Sequence, residues 1–108
     1  MMLKTLFWNK NKMDLKEDIK SSIKLSDLIK KNIALKQRDK SNFIGLCPFH
    51  KEKTPSFNIS DDKGFYHCFG CGKNGDIFNY VMEMENIGFL DALKKLAELA
   101  GINYSSSN

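Results

Sequence analysis

The chain has 108 residues, 42% of them hydrophobic and 28% charged, and its 17 basic against 13 acidic side chains leave a formal charge of +4. The length suits one domain and the composition a globular protein. No apolar run approaches the ~20 residues that cross a bilayer, so a membrane span, a multidomain enzyme and a low-complexity chain are excluded. Three cysteines are too few, and odd in number, for a disulfide framework. The stretch Met1–Trp8 lacks the apolar core and cleavage site of a secretory signal, so the expected compartment is reducing and cytoplasmic.

The charge is uneven. Residues 1–32 carry eight Lys against four acids, residues 33–75 seven basic groups against four, and residues 76–108 two against five. A net +4 alone is weak evidence for a nucleic-acid partner. Residues 1–13 match no period and are expected to be a flexible basic lead-in, while Ser105-Ser106-Ser107-Asn108 has the composition of a tail or linker.

Leu15, Ile19 and Ile23 recur every four residues and predict one helical face. Ser26 is placed to cap a second short helix carrying Leu28, Ile29 and Ile33. Ala34 to Leu46 reads as a hairpin that turns at Asp39-Lys40-Ser41-Asn42. Pro55 opens a strand over Ser56–Ser60, and Asp61-Asp62-Lys63-Gly64 turns it into a partner strand, Phe65–Phe69. Gly75-Asp76 starts a helix with Asp76 as N-cap, striped by Ile77, Phe78, Tyr80, Val81 and Met84 and broken at Gly88. A last helix carries Phe89, Leu90, Leu93, Leu96, Ala97 and Ala100 and stops at Gly101, with Asp91–Lys95 and Lys94–Glu98 spaced for ion pairs.

All three cysteines join one histidine in a single pattern. Cys47-Pro48-Phe49-His50 is C-x2-H, Cys68-Phe69-Gly70-Cys71 is C-x2-C, and seventeen residues separate the two pairs. This is the spacing of a four-ligand zinc site built on two knuckles. Two intervening residues let the chain turn back on one ion, Gly70 and Gly72 can adopt φ > 0, and knuckle amides can donate to the thiolates. Three thiolates and an imidazole favour Zn²⁺ over Mg²⁺ or Ca²⁺. Four protein ligands leave no position for a reacting water, so one structural zinc is expected. The competing readings are a redox pair at Cys68 and Cys71, for which no thioredoxin-like frame exists, and three buried thiols beside a satisfied histidine. His67 is expected to point away from Cys68, across the strand. The fold class that follows is α+β: a small antiparallel-sheet zinc ribbon flanked by N-terminal and C-terminal helices.

The run Gly45-Leu46-Cys47-Pro48-Phe49-His50-Lys51-Glu52-Lys53-Thr54-Pro55-Ser56-Phe57 closely resembles the zinc-binding domain of bacterial DnaG-type DNA primases. So does Phe65-Tyr66-His67-Cys68-Phe69-Gly70-Cys71-Gly72 followed by Gly75-Asp76. The resemblance covers about residues 14–103, and a generic zinc ribbon lacks the Glu-Lys-Thr-Pro-Ser-Phe run. It implies that Cys47, His50, Cys68 and Cys71 ligate zinc, and that the domain helps select the single-stranded DNA template site where RNA primers begin during replication, at the nucleoid. It also implies a polymerase domain as partner, in cis or trans, and a replicative helicase reached only through domains that this chain lacks. This chain has no acidic cluster of the polymerase kind, so primer synthesis by it alone is not expected. The turn at 39–42 lacks the glycine usual in the family, and Gly88 stands where the family often has a capping Ser or Thr.

Single strands are gripped by basic grooves with aromatic platforms. Lys36, Arg38, Lys40, Lys51, Lys53, Lys63 and Lys73 are interleaved with Phe43, Phe57, Phe65 and Tyr66, and the first six basic residues with Phe65 and Tyr66 are the candidate nucleic-acid contacts. Phe65 and His67 fall on one face of their strand and Tyr66 on the other; the sequence leaves open which face turns inward. The alternative reading is a protein-docking module that regulates a polymerase through the acidic last third, with Glu83, Glu85, Asp91 and Glu98.

Overall fold

A computed structural model describes residues 12–51 and 53–102. The N-terminal lead-in up to residue 11 and the tail at 104–108 lie outside the described residues. Two helices, α1 (Lys12–Ser22) and α2 (Leu25–Ile29), precede five strands: β1 (Leu35–Gln37), β2 (Asn42–Gly45), β3 (Phe57–Ser60), β4 (Phe65–Cys68) and β5 (Asn74–Gly75). Helices α3 (Ile77–Glu85) and α4 (Phe89–Ala100) follow. The sheet is a plain antiparallel meander in the order β1-β2-β3-β4-β5. This is the α+β architecture expected from the sequence.

Alternation assigns the two faces of the sheet. Phe57, Ile59, Tyr66 and Cys68 point inward and are at most 1% exposed. Leu15 and Ile19 of α1, Leu25 and Ile29 of α2, Ile77, Phe78, Tyr80 and Val81 of α3, and Ala92, Leu93, Leu96 and Ala97 of α4 complete the core with them. The rings of Phe49, Phe57, Tyr66 and Tyr80 meet at its centre with centroids 5.3–6.1 Å apart. Four helices thus join the apolar core on one face, and the other face of the sheet stays open.

The register puts Lys36, Ile44, Asn58, His67 and Asn74 in one cross-strand row on that open face. Asn42, Ser60 and Phe65 form a second row, with Arg38 beside it through its amide hydrogen bond to Asn42 O.

Several local expectations hold. Asp76 caps α3 by accepting from the amides of Phe78 and Asn79, and Asn79 Oδ1 accepts in return from the Asp76 amide. Gly101 ends α4 at φ 76°. Asp39 closes the 39–42 turn without a glycine: its Oδ1 accepts from the amides of Ser41 and Asn42 and from Asn42 Nδ2. Gly88 begins α4 with no side-chain cap, as its missing side chain requires.

Others are corrected. Ser26 is not an N-cap: it lies inside α2, 3% exposed, and Lys24 holds the cap position without a side-chain bond. The end of α3 comes before Gly88, at Asn86, which takes the left-handed conformation (φ 55°). Lys95 pairs with Glu85 across the α3–α4 hairpin rather than with Asp91 in its own helix. Strand β5 was not expected, because two residues, Asn74 and Gly75, carry no period.

Candidate metal centre and the open sheet face

The first knuckle follows β2 and the second follows β4. Antiparallel pairing through β3 returns the chain so that both lie at the same end of the sheet. Cys68 is the last residue of β4 and faces inward, opposite Phe57. The turn after it is tied by Gly72 N–H donating to Cys68 O at 2.8 Å and Cys68 N–H donating to Lys73 O at 2.8 Å. Gly72 takes φ 83° there, whereas Gly70 needs no positive φ.

These constraints bring one ligand atom each from Cys47, His50, Cys68 and Cys71 within 4.8 Å of one another. A tetrahedron with ~2.3 Å zinc–sulfur bonds has sulfur–sulfur edges of about 3.8 Å. Cys47 Sγ and Cys71 Sγ lie 3.8 Å apart, which fits a shared ion and is far beyond the ~2.05 Å of a disulfide. Each knuckle also aims an amide at its first sulfur: Phe49 N–H donates to Cys47 Sγ (3.4 Å) and Gly70 N–H to Cys68 Sγ (3.3 Å). Such bonds delocalise thiolate charge and orient the ligands.

The electrostatics show what an ion would relieve. Burial pushes the Cys47 thiol up to about 12, against the Phe49 amide, which favours its thiolate. Burial also opposes a Cys68 thiolate, yet the amides of Cys71 and Gly70 together with the side chains of Cys47 and Cys71 outweigh it and bring that thiol below its ordinary value. A divalent cation offsets the cost of gathering three thiolates in one place. Lys73, after the second knuckle, pairs with Glu83 at 2.9 Å and stands over the Phe49 ring at 5.7 Å, so it ties both knuckles to α3. The Glu83 carboxylate raises the Lys73 pKa.

The expected nucleic-acid residues divide among three places. Arg38, Lys63 and Phe65 line one open cleft on the uncovered sheet face, together with Asn42, Asn58 and His67. Lys36 shares that face through the row of Asn58 and His67. Lys40 lies round the hairpin, in a cleft with Lys20 and Lys24, and Lys51 and Lys53 border His50 at the metal end. Tyr66 is corrected: it is 1% exposed, packed against Phe49, Phe57 and Tyr80, and has no ring face to offer a base. Burial raises its pKa. Sequence reasoning passed over Asn58 and Phe69. Phe69 is 73% exposed, with its ring 4.5 Å from that of His67. The alternation Phe65, His67, Phe69 was the available signal, once Cys68 is known to face the metal.

Three thiols and an imidazole gathered at the end of a meander supply all four ligands of a zinc ribbon, the full protein ligation of a structural metal. Residues 11–108 match the family described as the CHC2 zinc finger, the zinc ribbon of DnaG, and the chain belongs to that family. With the Cys47, His50, Cys68 and Cys71 cluster, that family membership supports one structural zinc.

The chain is 52% identical over 91 residues to a DNA primase of Lactococcus lactis, which covers 84% of this chain and 14% of that protein. It is 56% identical over 70 residues to a DNA primase of Deinococcus radiodurans, covering 65% of this chain and 12% of that protein. The crystal structure of the zinc-binding and RNA polymerase domains of the Aquifex aeolicus primase superimposes with a TM-score of 0.74 at 35% identity, over 85% of this chain and 22% of that one. The chain therefore spans about one seventh of the length of the Lactococcus relative and corresponds to the zinc-binding domain of a DNA primase. Among the described residues, no helix is long and apolar enough to cross a membrane.

Proposed function

We propose that this chain is the template-reading part of a DNA primase, which grips single-stranded DNA across its open sheet face and helps place the start of an RNA primer. Cys47, His50, Cys68 and Cys71 hold the zinc and keep that face rigid. A polymerase domain, in cis or in trans, makes the primer, and a replicative helicase is engaged only through other domains.

The observation that carries this reading is the uncovered face itself. It combines cations at Lys36, Arg38 and Lys63 with exposed rings at Phe65 and Phe69, 42% and 73% exposed. Single-strand binders use this pairing of phosphate-neutralising charge and stacking platforms. The docking alternative draws less support, because Glu83 and Glu85 are already engaged by Lys73 and Lys95.

The test is fluorescence anisotropy of the zinc-loaded chain with a labelled single strand over a series of salt concentrations. Affinity should fall with salt at a slope of about −0.7 per phosphate contact. Affinity that ignores salt, or no affinity beside saturable binding to a polymerase fragment, would contradict the reading.

A further inference from the structure

Three thiolates and a neutral imidazole around a divalent zinc leave the metal centre with one surplus negative charge. The four ligands are not equally covered. Cys47 and Cys68 are 6% and 0% exposed, whereas Cys71 is exposed, so water and competing ligands meet the ion from the second knuckle.

Lys73 follows that knuckle, and three contacts hold it there. Its carbonyl accepts the Cys68 amide at 2.8 Å. Its Nζ donates to Glu83 Oε1 of α3 at 2.9 Å and stands 5.7 Å from the centre of the Phe49 ring, in the first knuckle. Phe49 in turn donates its amide to Cys47 Sγ at 3.4 Å. The ammonium therefore stands against the first knuckle while the backbone of the same residue closes the second. It also feels the sulfurs: Glu83 does most to raise the Lys73 pKa, and charge on Cys71 and Cys47 raises it further.

We propose that Lys73 is a positioning residue of the metal centre: its standing positive charge, aimed by Glu83 and Phe49, offsets the surplus charge of the three thiolates and tightens the hold on zinc. The inference goes beyond the single-strand reading of the sheet face and does not depend on it. A purely mechanical role would behave differently. If the Lys73–Glu83 pair only stapled the second knuckle to α3, cutting either side chain would loosen the metal alike. If the charge is what acts, the two substitutions work in opposite directions, because Glu83 brings a negative charge toward an anionic centre.

The experiment is competition for zinc between the full chain and a chromogenic chelator, with the melting temperature in excess zinc as the check on folding. Lys73→Gln should weaken zinc affinity roughly three- to tenfold at low salt, less than the ~10–100-fold that follows loss of a group bonded directly to a ligand, because the lysine is on the surface and partly screened. Lys73→Arg keeps the charge and should restore wild-type affinity. Glu83→Gln should bind zinc as tightly as wild type, or more tightly. Lys51 and Lys53 add charge on the His50 side of the site, so the salt dependence that matters is the part removed with Lys73. Raising the ionic strength to about 1 M, where the Debye length is ~3 Å, should shrink the gap between Lys73→Gln and wild type. Wild-type affinity in Lys73→Gln, weakened affinity in Glu83→Gln, failure of Lys73→Arg to restore affinity, or a gap indifferent to salt overturns the proposal. If Lys73→Gln does not fold, Glu83→Gln and Lys73→Arg still decide it.

Discussion

Asp61, in the turn between β3 and β4, accepts two hydrogen bonds from Ser26, 35 residues earlier: the Ser26 amide at 2.9 Å to Oδ1 and its hydroxyl at 2.6 Å to Oδ2. A carboxylate from the sheet thus serves the first turn of α2, where a local cap is missing. The same turn carries Lys63 and leads into Phe65, so this bond fixes the edge of the open face to the helical layer.

Removing that carboxylate leaves a buried hydroxyl and an amide without their acceptor. Asp61→Ala should lower stability by about 1–3 kcal/mol, read as a lower melting temperature at unchanged zinc content. A melting temperature equal to wild type would show that the bond contributes nothing.

Neighbouring ring residues should separate into opposite classes. Phe65→Ala should weaken single-strand binding by about 1–3 kcal/mol per stacked base with little change in melting temperature, since the ring is on the surface. Tyr66→Ala should cost about 3–5 kcal/mol of stability, because its ring fills the core beside Phe49, Phe57 and Tyr80. Equal effects of the two on folding would contradict the assignment of faces.

That assignment also marks how far the sequence is legible. The helical stripes, the β3–β4 hairpin, the Asp76 cap and the four-residue metal pattern follow from periodicity and from ligand spacing, which are local. The partner of Ser26 is not local: Asp61 is a turn residue by composition, and only the folded sheet brings it to α2. Strand β5 is two residues long and exists because β4 offers an edge. Tyr66 and Phe65 are equally aromatic, and only Cys68, held at the metal, decides which of them faces inward.

Gly75 stands where β5 meets α3, with φ 156°, and a Cβ there would lie 2.5 Å from Asn79 Cβ. Asn79 Oδ1 accepts the Asp76 amide in the capping box, so Gly75→Ala should both strain the backbone and disturb the cap. A loss of about 1–3 kcal/mol is expected, measurable by thermal melting, and an unchanged melting temperature would count against the close approach.

The Asn42 side chain, with the Ser41 and Asn42 amides, holds the Asp39 carboxyl below its ordinary value. A carboxyl with a depressed folded pKa stabilises the fold above its unfolded value, and loses that contribution as pH falls through the folded one. The Asp39 carboxyl carbon, followed by NMR, should titrate below the usual aspartate range, and Asn42→Ala should move its midpoint upward. A midpoint indifferent to Asn42 would contradict the turn geometry.

X-ray absorption at the zinc edge of the purified chain is the most direct test of the metal centre on which the open face depends. Three sulfur scatterers at about 2.3 Å and one nitrogen at about 2.0–2.1 Å are expected, with the sulfur count falling by one in Cys68→Ser if that variant still retains the ion. An oxygen ligand in the wild-type shell, fewer than three sulfurs, or protein that is folded and free of zinc would contradict a closed structural site.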